Sequence, residues 1–211
     1  MKILVLGASQ GTGALVVKAA LDRGHQVTAF ARSPQKLKLE HANLTRLVGD
    51  FHDAASVRDA VAGHDAVVVT ASVSKLGDFK KQPNYFSLGT GHVIEAMKAH
   101  GVRKLVVLSA LGTGETRSLL PLPLRWLVVD FFLKAPFADH ERQEKLVFAS
   151  GLDFVIARPS GLTNRAAKGK YLTTIENKWV PTQIARADVA DFLVKACEQT
   201  TWDGHAVQLG G

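Results

Sequence analysis

The chain has 211 residues, enough for one domain that buries a core without disulfides or metals. Hydrophobic residues make up 46% and charged residues 21%, which excludes a disordered chain. A single cysteine, Cys197, excludes an internal disulfide framework and a cysteine-built zinc site, and the net charge of +7 suits a phosphorylated small molecule.

Short β-rich runs alternate with helical stretches. Ile3–Leu6 is an apolar run that stops at Gly7, and a helix follows over Thr12–Arg23 and ends at Gly24. Val27–Phe30 is the second strand, with a short helix over Pro34–Leu39; Thr45–Val48 is the third. Ala54–Ala62 reads as a helix with Asp53 as its N-cap. Ala66–Thr70 and Leu105–Leu108 are further buried strands on either side of a helix over Ser87–Lys98. A Gly112-Thr113-Gly114 turn, an apolar stretch and a polar helix over Asp139–Ala149 come next, then a sixth strand, Phe154–Ala157. Residues 160–184 hold more Lys, Arg, Gly and Thr and less periodicity, and read as a substrate lid of loops and short strands. Val189, Phe192, Leu193 and Ala196 mark one face of a helix, and Ala206–Leu209 is a last strand. The strands are continuous apolar runs, as expected of a sheet covered on both faces. The pattern predicts a single-domain α/β fold over 1–211: a Rossmann-type doubly wound parallel sheet, helices on both faces, and the small lid at 160–184.

The segment 119–137 is apolar but broken by Pro121, Pro123, Arg125, Asp130 and Lys134, so no membrane span is expected there; it is a candidate surface for a protein partner or self-association. The first residues lack a basic segment and a small-residue cleavage site, so no signal peptide is expected and a cytoplasmic location is. Lys and Arg are scattered without interleaved aromatics, which argues against nucleic acid. No His, Asp or Glu grouping has metal-ligand spacing.

The chemistry is concentrated in the first turn. Gly7, Ser9, Gln10, Gly11, Thr12 and Gly13 lie between the first strand and the first helix. Glycines let the chain turn sharply and bring backbone N–H groups to a pyrophosphate at the positive end of a helix; Ser9, Gln10 and Thr12 add donors. A purely structural turn is the alternative. The second strand ends Phe30-Ala31-Arg32-Ser33, without the acid that holds a ribose 2′-hydroxyl in NAD sites. Arg32, helped by Ser33, suits a 2′-phosphate, so NADP(H) is preferred over NAD(H); a solvated Arg32 is the alternative. Asp50 and Phe51 are placed to bracket the adenine, unless Asp50 only caps a turn. Thr70, Ala71 and Ser72, at the carboxyl end of the fourth strand, border the cofactor ribose.

With GASQGTG, FARS, GDFHDAASVRDAVAGHDAVVV, EAMKAHGVRKLVVLSA, ADHERQEKLVFASGLDFVIARPSGLT and RADVADFL, nearly the whole chain resembles the short-chain dehydrogenase/reductase superfamily. It is most similar to the atypical NAD(P)H-binding group of biliverdin reductase B (flavin reductase)-like and NmrA-like proteins. That group's loop reads G-x-x-G-x-x-G, whereas Gln10 stands at the middle glycine here and Gly11 one residue later. The superfamily's Tyr-x-x-x-Lys pair is missing: Gly89 follows Tyr85 by four residues and Ile175 follows Tyr171. The resemblance implies a reductase that works without that pair. Ser109 occupies the family's serine position and would orient a substrate carbonyl or the nicotinamide amide, or else bond to backbone. His140 suits proton donation, or pairs with Glu144 one helical turn on. Pro159 opens the turn expected over the nicotinamide. Two functions follow: a reductase passing hydride from NADPH to a small planar or quinonoid acceptor such as a flavin, or a non-catalytic NADP(H) sensor of NmrA type.

Overall fold

The computed structural model describes residues 1–72, 82–120, 122 and 133–211. Ten strands and five α-helices run β1 (Lys2–Leu6), α1 (Gly11–Asp22), β2 (Gln26–Ala31), β3 (Leu44–Val48), α2 (Ala54–Val61), β4 (Ala66–Val69), α3 (Tyr85–His100), β5 (Lys104–Leu108), α4 (Lys134–Phe148), β6 (Asp153–Pro159), β7 (Gly161–Thr163), β8 (Leu172–Thr174), β9 (Gln183–Ala185), α5 (Arg186–Glu198) and β10 (His205–Gly210) among the described residues. Eight strands form one sheet in the order β3-β2-β1-β4-β5-β6-β10-β8, parallel except for β8 against β10. The direction of winding reverses between β1 and β4, and the carboxyl ends of those strands open a crevice.

Period-two alternation divides each central strand between two cores. Ile3, Val5, Ala66, Val68, Val106 and Val155 join α1 and α5 on one face, with Phe192 and Leu193 of α5 fully buried there. Leu4, Leu6, Val67, Val69, Leu105 and Ile156 join α2, α3 and α4 on the other. Both faces are dry, which is why these strands carry no alternating polar residues.

Three elements depart from expectation. The polar helix begins at Lys134 rather than Asp139, with Pro136 in its first turn, where no intrahelical N–H bond is lost. The helix after β2 is a single 3-10 turn, Pro34–Lys36, because the Leu37 and Leu39 carbonyls accept from the Arg46 guanidinium instead of continuing a helix. The proposed lid contributes β8 to the main sheet and pairs β7 with β9 in a small parallel ribbon. Asp53 caps α2 as expected, accepting from Ala55 N–H at 3.1 Å. Of the apolar stretch 119–137, residues 121 and 123–132 lie outside the described residues. No helix among the described residues is long and apolar enough to cross a membrane.

Candidate functional site

The first turn folds tightly over the reversal point. Gly7 N–H donates to the Phe30 carbonyl at 3.0 Å, which ties the turn to β2. Gly7 has φ +86°, and a side chain there would meet the Ala71 backbone at 2.7 Å. A Cβ on Gly13 would strike the Gly7 carbonyl and lie 2.6 Å from Thr70 Oγ1. Gly11, with φ +59°, faces open space instead. The α1 N-terminus therefore presents bare backbone: Gln10 makes no capping bond and the first turn holds no acid. Its N–H groups and dipole are left for an anion, as a pyrophosphate requires.

A polar cavity opens in front of this turn. Gly7, Ser9 and Gln10 line it from below, Arg32, Ser33 and Lys36 from the end of β2, Asp50 and Phe51 from the end of β3, and Ala71, Ser72 and Tyr85 from the far wall. Arg32 and Lys36 are both exposed, and neither has an acidic partner among the described residues. The sequence reading missed Lys36 and Tyr85. Lys36 arrives through the 3-10 turn, and Tyr85 through the start of α3, two residues before the expected boundary.

Not every expected residue reaches the cavity. Thr12, Gly13 and Thr70 are buried behind it; the Thr70 hydroxyl donates to the Leu6 carbonyl at 2.9 Å and clamps β4 to β1. Gly11 sits exposed at the helix start. Asp50 Oδ1 accepts from His52 N–H at 3.0 Å as a turn cap, and the half-exposed carboxylate also borders the cavity. Phe51 is mostly buried, and its ring packs where Gly89 leaves no Cβ.

A second cavity, of about 460 Å³, follows at the carboxyl ends of β5 and β6. Ala110, Leu111, Pro159 and Ser160 form its floor; Leu119, Leu120, Leu133 and Phe137 form one wall; Trp179, Val180, Thr182 and Gln183 of the 160–184 segment form the other. No charged side chain lines it among the described residues.

An ionic cluster, buried except for Glu115, lies beside this cavity. Ser109 Oγ donates to Glu144 Oε1 at 2.6 Å. Arg158 Nε and Nη2 donate to the two Glu144 oxygens at 3.0 and 2.7 Å, and Nη1 donates to Glu115 at 2.5 Å. Burial opposes the Arg158 charge, but the two carboxylates more than restore it and push its pKa above the usual range. Burial likewise opposes the Glu115 charge; the Arg158 hydrogen bond outweighs this and holds the carboxyl below its ordinary value. The cluster is legible in no local motif, because its members come from the residue after β5, from β6, from α4 and from the 3-10 segment at 114–119.

The two expected catalytic residues take different partners from those expected. Ser109 bonds to a carboxylate, not to backbone. The His140–Glu144 pair does not form, since Glu144 turns to Ser109 and Arg158; His140 Nδ1 instead pairs with Gln143 Oε1 at 2.9 Å, and its ring stacks on Phe86 at 4.0 Å. Burial depresses the His140 pKa despite Gln143 and the nearby acids. Neither Ser109 nor His140 lines either cavity. The neighbouring Asp139 was missed by the sequence reading: it accepts from Phe86 N–H and Ser87 Oγ, both at 2.6 Å, and so caps α3 from α4. A tyrosine and a lysine do meet elsewhere, Lys195 Nζ lying 3.4 Å from the Tyr171 hydroxyl. Burial and the Asp191 carboxylate push that phenol above its ordinary range, the opposite of what a general acid needs.

The profile of a family described as NAD(P)H-binding matches residues 7–200. Over 110 residues the chain is 37% identical to 2-alkyl-3-oxoalkanoate reductase of Stenotrophomonas maltophilia, which covers 52% of this chain and 33% of that protein. Over 172 residues it is 30% identical to sterol demethylase protein B of Methylococcus capsulatus, 77% of this chain and 52% of that one. The chain thus spans a third to a half of these relatives. Its fold superposes on ChuY, an anaerobilin reductase from Escherichia coli O157:H7, with a TM-score of 0.82 and 23% identity over 100% of this chain and 97% of that one.

Proposed function

The chain belongs to the NAD(P)H-binding family, and from that premise we propose that it is an NADPH-dependent reductase of a small planar or quinonoid acceptor such as a flavin. The observation that carries the reading is the succession of two unlike cavities along the strand ends: one polar, with two cations that have no acidic partner among the described residues, and one apolar, with no charge among its described lining residues. Gly7 and Gly11 open the turn, the bare start of α1 would hold the pyrophosphate, and Arg32, Ser33 and Lys36 would hold a 2′-phosphate. Asp50 would accept from the adenine amine. Ala71 and Ser72 would border the ribose, and Pro159 would cover the nicotinamide from the apolar side.

When bound, NADPH supplies a hydride. The protein's part is to hold the acceptor flat against it and exclude water, which the Leu120, Phe137 and Val180 side chains favour. With its proton committed to Glu144, Ser109 offers lone pairs only. It therefore suits a donor such as a carboxamide NH2 better than a substrate carbonyl. His140, neutral and stacked on Phe86, is a poor proton source, so water protonates the product. The lone buried cysteine fits a reducing compartment such as the cytoplasm.

The test is to mix pure protein with NADPH and a panel of flavins and quinones and follow the near-ultraviolet absorbance of NADPH. Loss of absorbance with at least one acceptor is expected. Tight nucleotide binding without turnover would favour the second reading, an NADP(H) sensor, which the absence of Ser109 and His140 from both sets of lining residues also favours.

A further inference from the structure

The fold treats the two tryptophans among the described residues in opposite ways. Trp202 is half-buried and packs its ring on Phe192 of α5 at 4.9 Å. Trp179 lines the apolar cavity, is 67% exposed, and meets no other ring among the described residues. The chain on either side of it is pinned. Gln208 of β10 donates to the Glu176 carbonyl at 2.5 Å, Lys178 N–H donates to the same carbonyl at 2.7 Å, and Asn177 Nδ2 donates to Ser118 Oγ at 3.4 Å. Val180, the next residue, is 2% exposed, and Pro181 packs on Gly210, where a Cβ would come within 2.8 Å of the proline nitrogen. The uncovered indole is therefore not the tip of a loose loop; an anchored backbone holds it at the cavity. Phe137 brings a second ring from α4. A Cβ on Gly112 would lie 3.0 Å from Phe137 Cε1, so the bare glycine lets that ring sit where it does.

Leaving two-thirds of an indole in water forgoes the burial that its large apolar face would otherwise gain, and tryptophans so placed are characteristic of binding surfaces. The π face adds a preference of its own, because offset-stacked and edge-to-face ring pairs are worth more than the area they bury. We propose that Trp179 is the specificity-determining side chain of the apolar cavity: its indole packs against the flat face of an aromatic or conjugated ring ligand. Two rings of this chain, one set by Gly112 and one left uncovered, then bound the ligand from two different segments. The identification of that ligand as the hydride acceptor rests on the reductase reading. There the indole contributes to binding of the acceptor, and its loss raises KM more than it lowers kcat.

The experiment uses acetophenone and cyclohexyl methyl ketone, which share a carbon skeleton and a carbonyl and differ in whether the ring is flat and aromatic. Each is titrated into 15N-labelled protein without nucleotide, and affinity is read from amide shifts around the cavity. The wild-type chain should bind acetophenone about two- to tenfold more tightly, the worth of one aromatic pair. In Trp179→Leu that preference should vanish while affinity for cyclohexyl methyl ketone stays, and Trp179→Phe should keep the preference. The melting temperature should hold in both variants, because the indole buries little of its surface. Equal affinity for the two ketones in the wild type would overturn the proposal. So would a full preference kept in Trp179→Leu, which would assign the selection to Phe137. Since no nucleotide is present, the preference would survive a failure of the reductase reading. NADPH turnover without the preference would remove Trp179 alone.

Discussion

The two cavities are built from different materials. The polar one is made of backbone: a glycine turn, the start of a helix and the ends of four adjacent strands. Its side-chain contribution is two cations without an acidic partner among the described residues, the Asp50 carboxylate and a few hydroxyls. The apolar one is made of side chains from three distant segments, and beside it Arg158, Glu144, Ser109 and Glu115 bind those segments together. Nearest-neighbour geometry shapes the first, while tertiary pairing holds the second. A cavity of the first kind suits a ligand that many proteins share; one of the second kind can change its walls while the sheet stays the same.

The sharpest way to break this contrast is to remove one member of the ionic cluster. Glu144→Ala takes the buried partner from a guanidinium that is 2% exposed, leaves it only the exposed Glu115, and frees the Ser109 hydroxyl. The expected cost is about 2–3 kcal/mol in urea unfolding, because two buried charge-assisted hydrogen bonds are lost while Glu115 still compensates part of the charge. Replacing Glu144 and Arg158 together by methionine should cost much less. If the two regions are as separate as their construction implies, the surviving folded Glu144→Ala protein binds NADPH as the wild type does.

The same contrast decides what the sequence could disclose. The glycine turn and Arg32 were legible because their partners lie within one strand–helix–strand unit, where spacing alone sets the geometry. The strands were legible because burial on both faces leaves uninterrupted apolar runs such as Ala66–Val69. Glu144 was misassigned to His140, since helical spacing is visible in a sequence and a salt bridge to β6 is not. Lys36 escaped because the chain leaves its 3-10 turn early, drawn off by Arg46 from a later strand.

Two substitutions on the polar side sharpen the comparison from the other direction. Gly13→Ala drives a methyl group into the Gly7 carbonyl and Thr70 Oγ1, backbone and clamped side chain that have no room to yield. A loss of about 2–3 kcal/mol in thermal unfolding is expected, and with it weaker binding of NADPH and NADH alike. Arg32→Glu should leave the fold unchanged and discriminate between nucleotides. NADPH affinity should fall about thirtyfold, the worth of a charge-assisted hydrogen bond near 2 kcal/mol, while NADH affinity changes little. Equal losses for both, measured by nucleotide fluorescence titration, would show that this guanidinium does not read the extra phosphate.

The smallest effect concerns His140, at the seam between the regions. Burial against Phe86 holds its folded pKa below the ordinary imidazole value of about 6.5, so the unfolded chain takes up the proton first as the pH falls. The unfolded state then binds more protons, and stability is lost as pH drops below about 6.5 and is fully present above it. His64, also depressed by burial, adds to the same slope. His140→Gln should therefore flatten part of the decline below about pH 6.5 in pH-dependent unfolding. It should leave the pH profile of NADPH oxidation unmoved, because a neutral, stacked imidazole outside both cavity linings has no proton to give. A turnover that collapsed in His140→Gln while nucleotide binding held would reverse that reasoning and put the imidazole in contact with the acceptor.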